Sequence, residues 1–349
     1  MKKAIAPKRS LNEEAAPVAP GALLGGTYRI LKQLGRGGMG VLYLASHARM
    51  PGNFVVKVLP PGRQSEESIE RFRHGAIVMG TVHHPNVVQL IDFNVTGSGL
   101  PYLVMEFLPG NNLAEIVVRQ PILPIVQIAS IVHQVAGGLH AAHCVGVMHQ
   151  DLKPSNIMLV PREADEDVVK VIDFGIFPKM QRKNSPRDFS LEGTPPFIAP
   201  EQIQCGDVGA HSDQFALAVT SYVLLTGRLP WRGTTALSLL YSVVNRDPLP
   251  LGDGNLQSVE LVLQQGMAKD PHARFNSVLA FWKAFQLALT RDGLLSPSAR
   301  YPLRALASSG TKPFILRALP PGCAEPPGPP SSGVPMIRTP MEEEATQES

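Results

Sequence analysis

The apolar pattern of this chain changes type near residue 109, and this change limits the possible folds more than any other sequence feature. Before it, short β-branched and apolar runs separated by Gly and Pro predict strands over residues 28–34, 40–46, 53–59, 87–92 and 101–107. One interruption, residues 66–79, has the apolar spacing of a helix. The first part of the chain therefore predicts a small sheet with one helix.

The remainder of the chain is mainly helical. Pro124 suits a helix start, and apolar residues from Ile125 to Ala142 then follow one face of a long helix. The run Phe215–Leu225 predicts a helix buried on all sides, and Val259–Met267 marks a further helix. The two parts together predict an α+β protein with a small β-rich lobe, a larger α-rich lobe and a short joint near Glu106–Gly110.

Composition sets the limits of the folded part. Residues 1–25 are rich in Pro and Ala with scattered charge, which predicts a flexible leader. Residues 291–349 hold Pro-Gly-rich stretches and an acidic end, so we expect a Pro-rich, disordered tail. The folded domain is expected over residues 26–290, with its lobes at 26–108 and 109–290.

Charge, cysteines and hydropathy exclude several classes of function. The formal net charge of +3 gives no reason to expect nucleic acid or a membrane as the main partner. Cys144, Cys205 and Cys323 show no paired spacing, so neither a disulfide framework nor a zinc site is expected. Charges and prolines interrupt the N-terminus before any signal-peptide core, and the longest apolar run, Phe215–Leu225, is too short to span a bilayer. We therefore expect a cytoplasmic protein.

Two features of the first lobe suit phosphate binding. Residues 35–40, Gly-Arg-Gly-Gly-Met-Gly, form a G-x-G-x-x-G turn, in which glycine lets backbone N–H groups approach phosphate oxygens. Alone the turn is weak evidence, because an ordinary glycine hairpin has the same pattern, and a dinucleotide-binding turn would need a helix where Val41–Leu44 is a strand. Lys57 lies inside an apolar strand and is costly to bury without an anion, although an isolated lysine of this kind could snorkel to the surface.

The second lobe carries two motifs with ligands for Mg²⁺. Residues 149–156, His-Gln-Asp-Leu-Lys-Pro-Ser-Asn, place a base, a cation and a metal ligand on one tight loop. Asp173-Phe174-Gly175 follows the predicted strand Val168–Ile172. Mg²⁺ on a triphosphate needs hard oxygen ligands, which Asn156 and Asp173 can supply from adjacent loops. The order and spacing of the two motifs together are highly specific.

With these motifs in order, residues from about 26 to 290 resemble the eukaryotic-type (Hanks-type) serine/threonine protein kinase family, close to its bacterial branch. Further pieces of the resemblance are Ala199-Pro200-Glu201, Asp213 and Arg274. The resemblance implies the bilobal protein-kinase fold, a buried Glu201–Arg274 ion pair, and Asp213 as a tether of the catalytic loop. It also implies ATP and Mg²⁺ as cofactors and proteins as substrates.

The resemblance implies roles for the residues that would touch the phosphates and the metal. The phosphates would be covered by three glycines of the turn, Gly35, Gly37 and Gly40. Lys57 would hold the α- and β-phosphates, and Asn156 and Asp173 would bind Mg²⁺. Catalysis would then rest mainly on positioning and charge neutralisation.

The resemblance also implies how the acceptor hydroxyl is handled. Asp151 would orient and deprotonate it, and Lys153 would steady the γ-phosphate. Lys153 together with Gly193–Phe197 resembles serine/threonine kinases rather than tyrosine kinases, and Thr194 would contact Asp151 and help to seat the acceptor.

The adenine would lie at the joint between the lobes, by the same resemblance. Its edge would bond the backbone of Glu106, Phe107 and Leu108, with Met105 at the back of the pocket. The ring would lie between apolar side chains, with Leu42 and Val55 above it and Met158 below it. Plain core packing is the competing interpretation for each of them. A stacked column joining the lobes is expected from Met79, Leu90, His149 and Phe174.

One departure from the family pattern concerns the partner of Lys57. Gly75 occupies the position of the helix glutamate that pairs with this lysine in the family. Glu70 lies five residues earlier, about 140° around the helix, so it does not simply substitute. Either Lys57 uses another anion, such as Asp173 or the phosphates alone, or activity is low.

Two further departures concern regulation and affinity. Gln150 replaces the arginine that reads a phosphate on the activation segment, so we hypothesise that activity does not depend on phosphorylation there. Loss of activity in folded Ser185→Ala plus Ser190→Ala protein would refute this. Val55 replaces the usual alanine over the adenine, which predicts weaker ATP affinity.

The leading interpretation is an active serine/threonine kinase, because the lysine, the catalytic-loop residues and the metal ligands are all present. The alternative is a pseudokinase or weakly active nucleotide-binding scaffold that signals by conformation, and Gly75 supports it. The Pro-rich tail suits a docking segment for partner proteins, but an inert solvated tail has the same composition. The sequence carries no signal for the substrate protein or the oligomeric state.

Overall fold

Alternating apolar strands form a six-stranded antiparallel sheet in the first lobe. The computed structural model describes residues 18–37, 40–59, 66–161, 167–174, 195–204 and 206–296. The strands of this sheet are β1 (Leu23–Leu24), β2 (Tyr28–Gly37), β3 (Gly40–His47), β4 (Asn53–Val58), β5 (Leu90–Val95) and β6 (Pro101–Glu106). Their order is β1-β2-β3-β4-β6-β5, and every neighbouring pair is antiparallel. The predicted sheet is therefore confirmed.

The helix of the first lobe, α1 (Glu66–Gly80), packs on this sheet through the stripe that its spacing predicts. Phe72, Ala76 and Met79 are buried. The ring of Phe72 meets that of Phe93 on β5 edge to face at 5.3 Å between centroids. These contacts fix α1 beside β5, so the residue at position 75 lies one turn before the buried Met79.

Two differences from the sequence prediction have a clear cause. The strand predicted at residues 87–92 begins only at Leu90, because Val87 bridges Val171 of the second lobe and the Val88 N–H donates to the Val171 carbonyl at 3.0 Å. Residues 18–25, assigned to the flexible leader, are instead packed on the sheet. Val18 and Leu24 are buried there, and β1 pairs with β2.

The second lobe consists of helices around one apolar core, with a small sheet at its upper edge. The helices are α2 (Leu113–Arg119), α3 (Ile125–Cys144), α4 (Pro200–Ile203), α5 (Ala210–Thr226), α6 (Ala236–Asn245), α7 (Gln257–Gly266) and α8 (Val278–Arg291). The sheet, in the order β7-β8-β9, is formed by β7 (Asn111–Asn112), β8 (Ile157–Val160) and β9 (Val168–Val171). Every residue of α5 from Ser212 to Leu224 is buried, as its apolar run predicts.

By length and composition alone, the long helix α3 is apolar enough to cross a membrane. Most of this helix is buried inside the protein, where it packs against α5 and α8. A buried core helix commonly has this length and composition, and the sequence prediction considered only the shorter run Phe215–Leu225 as a possible membrane span. Beyond α8 the packed chain continues at least to Leu295, which is buried, so the tail begins later than residue 291.

The joint between the lobes follows β6 and is held close to β8. Gly110 has a φ of 156°, and a Cβ at this position would overlap the Leu159 carbonyl oxygen. A residue with a side chain would therefore push the joint away from β8. The close approach holds the joint against β8, the strand that follows the loop of residues 149–156.

Candidate active site

The turn that presents the catalytic loop is strained and is held from both sides. Gln150 has a φ of 61°, which is costly for a residue with a side chain. The Asp213 carboxylate, from buried α5, accepts the His149 and Gln150 N–H groups at 2.7 Å each. On the other side, Gln202 Nε2 donates to the Gln150 carbonyl at 2.9 Å. The predicted tether by Asp213 is confirmed.

His149 links this loop to the strand before Asp173. Burial lowers the pKa of His149, so the ring is neutral at pH 7. Its Nε2 lies 2.9 Å from the Ile172 carbonyl, and its Nδ1 lies 3.3 Å from the Asp151 N–H. Both contacts are satisfied by the neutral tautomer that carries its proton on Nε2, which donates while Nδ1 accepts.

Two other polar residues of its loop lie close to Asp151. Lys153 Nζ lies 2.8 Å from Asp151 Oδ2. Asn156 Nδ2 donates to the Asp151 carbonyl at 2.8 Å and lies 3.4 Å from Oδ2. The loop thus brings a carboxylate, a cation and an amide together, as the sequence predicted.

The two predicted metal ligands lie on loops that are bonded to each other. The Ile172 N–H donates to the Asn156 carbonyl at 2.9 Å, which places Asp173 beside Asn156. Asn156 Nδ2 donates to the Asp151 carbonyl, so the other atom of the amide, Asn156 Oδ1, can act as a metal ligand. Asp173 has a φ of 58°, a conformation that aspartate tolerates better than most residues. A carboxylate and an amide oxygen are the donor types that Mg²⁺ prefers, so the residues present fit this ion.

Lys57 reaches across from β4 to Asp173. Its Nζ lies 2.7 Å from Asp173 Oδ1, and the two side chains are only 8% and 18% exposed. Glu70, whose carboxylate is paired with Arg73 at 2.7 Å on the exposed side of α1, does not serve Lys57. Of the two possibilities left open by Gly75, the structure supports the use of another anion, and Asp173 is one anion that Lys57 contacts.

The glycine turn forms the hairpin between β2 and β3. Gly35 lies opposite Leu42, and Gly37 lies opposite Gly40. Gly40 has a φ of 138°, and a Cβ there would overlap the Val58 carbonyl oxygen. The turn therefore depends on glycine at position 40 for its geometry as well as for an open backbone.

The predicted roof and back of the adenine pocket form one apolar cluster. Leu42, Val55, Met105 and Leu108 all belong to it. Met158 lies buried in β8 of the second lobe, outside this cluster. The sequence prediction did not place four other members of the cluster in the pocket, namely Leu34, Leu44, Val88 and Ile172. Leu34 directly precedes the glycine turn and Ile172 directly precedes Asp173, and these positions in the sequence could have indicated that both lie at the pocket.

The joint is tied to both lobes through Glu106. Its Oε1 accepts the Gln89 N–H at 2.8 Å and the Lys170 ammonium at 2.6 Å. Lys170, on β9, also donates to the Val87 carbonyl at 3.2 Å. In the described chain the N–H and C=O of Leu108 have no hydrogen-bond partner, so they are open to a ligand edge.

The column predicted to join the lobes is assembled. The rings of His149 and Phe174 lie 4.6 Å apart, and Met79, Leu90 and Phe174 line one small cavity with Lys57. Phe174 and Met79 are almost fully buried. The column therefore connects α1 and β5 with the catalytic loop, which fixes the cleft between them.

Below the catalytic loop lies the predicted buried ion pair. Arg274 donates to Glu201 through two nitrogens at 2.8 and 2.9 Å, and Ser212 Oγ donates to the same carboxylate at 2.7 Å. Arg274 also donates to the carbonyls of His211 and Ala268. The pair is confirmed, whereas Thr194, Gly175, Ser185 and Ser190 lie outside the described residues.

Comparison with known proteins gives matches over most of this region. A family model described as a protein kinase domain matches residues 28–278. The chain is 36% identical over 294 residues to the serine/threonine-protein kinase Pkn1 of Myxococcus xanthus, and 33% identical over 258 residues to PknB of Mycobacterium leprae. These matches cover 80% and 72% of this chain, but the chain spans only 42% and 41% of the two relatives.

Solved structures match the fold as well. The kinase domain of PknI from Mycobacterium tuberculosis has a TM-score of 0.62 and 28% identity, and the match covers 78% of this chain and 99% of that domain. Because the match covers 99% of the PknI kinase domain, nearly all of a known kinase domain has a counterpart in this chain.

Proposed function

Because this chain belongs to the protein kinase family, we propose that it transfers the γ-phosphate of ATP to serine or threonine hydroxyls of proteins. The family acts on protein substrates and uses ATP with Mg²⁺. The observation that best supports the proposal is the geometry around Asp151, where the carboxylate, Lys153 and Asn156 are held together by a loop tied down through Asp213.

Asp151 would act on the acceptor. Its carboxylate orients the substrate hydroxyl and takes the proton as the hydroxyl oxygen bonds to the γ-phosphorus and ADP leaves. Lys153, 2.8 Å from that carboxylate, is near enough to stabilise charge on the transferred group. The neutral ring of His149 keeps the loop in place without adding a competing charge.

The nucleotide would lie in the cleft that Leu42, Val55, Met105 and Leu108 line. The backbone of Glu106 and Leu108 would bond the adenine edge, and Met158 would form the floor. Gly35, Gly37 and Gly40 would cover the phosphates, and Lys57 would pair with them. Asn156 and Asp173 would hold Mg²⁺, which supplies neutralisation of phosphate charge.

A second candidate function is a nucleotide-binding pseudokinase, and Gly75 favours it. The Lys57–Asp173 contact weighs against it, because the lysine is already aimed at the metal-binding end of the cleft without the missing glutamate. Cytoplasmic signalling, Thr194 as an acceptor contact, and partner docking through the tail stay predictions of the sequence.

The test uses three peptides that differ only in the acceptor residue, Ser, Thr or Tyr, within one neutral sequence. Purified protein is incubated with each peptide, ATP and Mg²⁺, and phosphopeptide is measured by mass spectrometry. We expect product from the Ser and Thr peptides and at least about tenfold less from the Tyr peptide. Product from the Tyr peptide alone would contradict the acceptor assignment. If none of the peptides is phosphorylated while ADP still stabilises the protein against heat, the pseudokinase is favoured.

A further inference from the structure

The turn before Asp151 holds a strained residue through both of its peptide groups. Gln150 has a φ of 61°, so its backbone would gain stability by returning to an ordinary conformation. On its N-terminal side, Asp213 Oδ1 accepts the Gln150 N–H at 2.7 Å. On its C-terminal side, Gln202 Nε2 donates to the Gln150 carbonyl at 2.9 Å. Relaxation of the turn therefore requires at least one of these hydrogen bonds to break.

The peptide that Gln202 holds is the one that leads into Asp151. Its N–H belongs to Asp151 and lies 3.3 Å from His149 Nδ1, so this peptide is bonded through both its oxygen and its nitrogen. The orientation of the peptide sets the direction of the Asp151 backbone, and hence the position of the carboxylate beside Lys153. The hydrogen bond from Gln202 thus acts on the residue that is proposed to take the proton of the acceptor.

Gln202 itself lies on a segment that is anchored in the second lobe. Its Oε1 accepts the Ala199 N–H at 3.0 Å, so the side chain is held at the first turn of α4. The preceding residue, Glu201, is buried and bonded to Arg274. A glutamine amide suits the position, because it donates to one carbonyl and accepts one N–H at the same time. One neutral side chain therefore connects residues 195–203, the platform segment, to the turn before Asp151.

We propose that Gln202 is a positioning residue, which couples the platform segment to the orientation of Asp151. The proposal rests on the proposed function and concerns the acceptor side of the same site. The platform segment directly follows Thr194, the residue predicted to contact the acceptor. A substrate protein that displaces the platform segment would therefore act on Asp151 through the Gln202 amide, and the effect would fall on kcat instead of on ATP binding.

Gln202→Met tests the coupling, and Gln204→Met is its matched control. The first variant removes both amide bonds with little change in length, and the second makes the same substitution at the exposed end of α4. With a Ser peptide, we expect Gln202→Met to lower kcat about tenfold and to leave the KM for ATP within about twofold of wild type. Gln204→Met should leave both values near wild type. A decrease in kcat under threefold, or an equal decrease in both variants, would overturn the proposal.

Amide hydrogen exchange, followed by NMR, gives a readout that needs no catalysis. We expect the Asp151 N–H to exchange at least about tenfold faster in Gln202→Met. The His149 N–H, which donates to Asp213 at 2.7 Å, should change less. Equal acceleration at both amides would indicate general loosening and contradict a specific role of Gln202. Selective acceleration at Asp151 in a protein whose wild type transfers no phosphate would support the coupling and remove the proposed activity.

Gln202→Glu covers the case in which Gln202→Met does not fold. A carboxylate keeps the acceptor for the Ala199 N–H, but it cannot donate to the Gln150 carbonyl. We expect the same selective acceleration of the Asp151 N–H and a decrease in kcat of at least about tenfold. Wild-type exchange and wild-type kcat in Gln202→Glu would show that the donated hydrogen bond is not needed, and the proposal would be wrong.

Discussion

The Glu201–Arg274 pair offers the strongest prediction about stability. The Arg274 side chain is fully buried and the Glu201 side chain is 7% exposed, with two bonds between them at 2.8 and 2.9 Å. At an effective dielectric constant of about 20, unit charges 2.8 Å apart attract by about 6 kcal/mol, and desolvation of both ions offsets much of this. The pair as a whole therefore adds little, but either ion left alone is costly.

Arg274→Met leaves the Glu201 carboxylate buried without its main partner. We expect the free energy of unfolding to fall by about 3–5 kcal/mol, which corresponds to roughly 10 °C in melting temperature for a domain of this size. Glu201→Met should have a similar cost. The double variant Glu201→Met plus Arg274→Met should lose much less than the sum of the single losses, because no unpaired charge remains.

The assay is urea unfolding of the four proteins, read by fluorescence at pH 7 and again at lower pH. Burial alone would raise the pKa of Glu201, but hydrogen bonds from Arg274 and Ser212 outweigh it and hold the pKa below its ordinary value of 4.5. A lowered pKa means that the carboxylate stabilises the fold above pH 4.5 and that this stabilisation is lost as pH falls through the folded-state pKa. If the double variant loses as much free energy of unfolding at pH 7 as the two single variants together, the reasoning is refuted.

Three other variants test the cleft and the loop. Asp213→Asn keeps the shape but removes the charge and replaces one of the two acceptor oxygens with an NH2 group that cannot accept, so kcat with a Ser peptide should fall about 100-fold; a decrease under threefold would contradict the tether. Val55→Ala should strengthen ATP binding about fivefold in calorimetry by relieving crowding, and weaker binding would show that Val55 contributes useful contact. Lys170→Met removes the cation from Glu106 and should raise the KM for ATP about fivefold with little change in kcat, whereas Lys170→Arg should stay near wild type.

The sequence predicted those parts of the fold whose signal is local. The strand pattern, the face of α3 and the buried run of α5 each follow from the periodicity of a single segment. The helices α6 and α8 were missed although their apolar residues recur with helical spacing and Thr235 and Ser277 cap their first turns.

Contacts between segments distant in the chain could not be predicted in the same way. Val87 and Val88 have ordinary strand character, but they pair with Val171, more than eighty residues later. Val18 lies in a Pro- and Ala-rich stretch, yet its N–H donates to the Tyr43 hydroxyl at 3.2 Å and its side chain is buried. Such packing depends on the assembled sheet, which no local pattern encodes.

At the site, motif spacing placed Asp151, Lys153, Asn156 and Asp173 correctly beside one another. Spacing could not decide what replaces the carboxylate missing at Gly75, because the answer depends on how far Lys57 reaches across the cleft. The 2.7 Å contact shows that Asp173 is one anion within the reach of Lys57.

Transfer of label from γ-labelled ATP is the measurement that tests the central claim most directly. Wild-type protein and Asp151→Ala are incubated with Mg²⁺ and a basic protein acceptor, and phosphoamino acids are separated after hydrolysis. A thermal shift with ADP confirms that both proteins still bind nucleotide. We predict phosphoserine or phosphothreonine with the wild type and its loss in Asp151→Ala. Equal labelling by both proteins, or none by wild type that binds nucleotide, would contradict an active kinase built around Asp151.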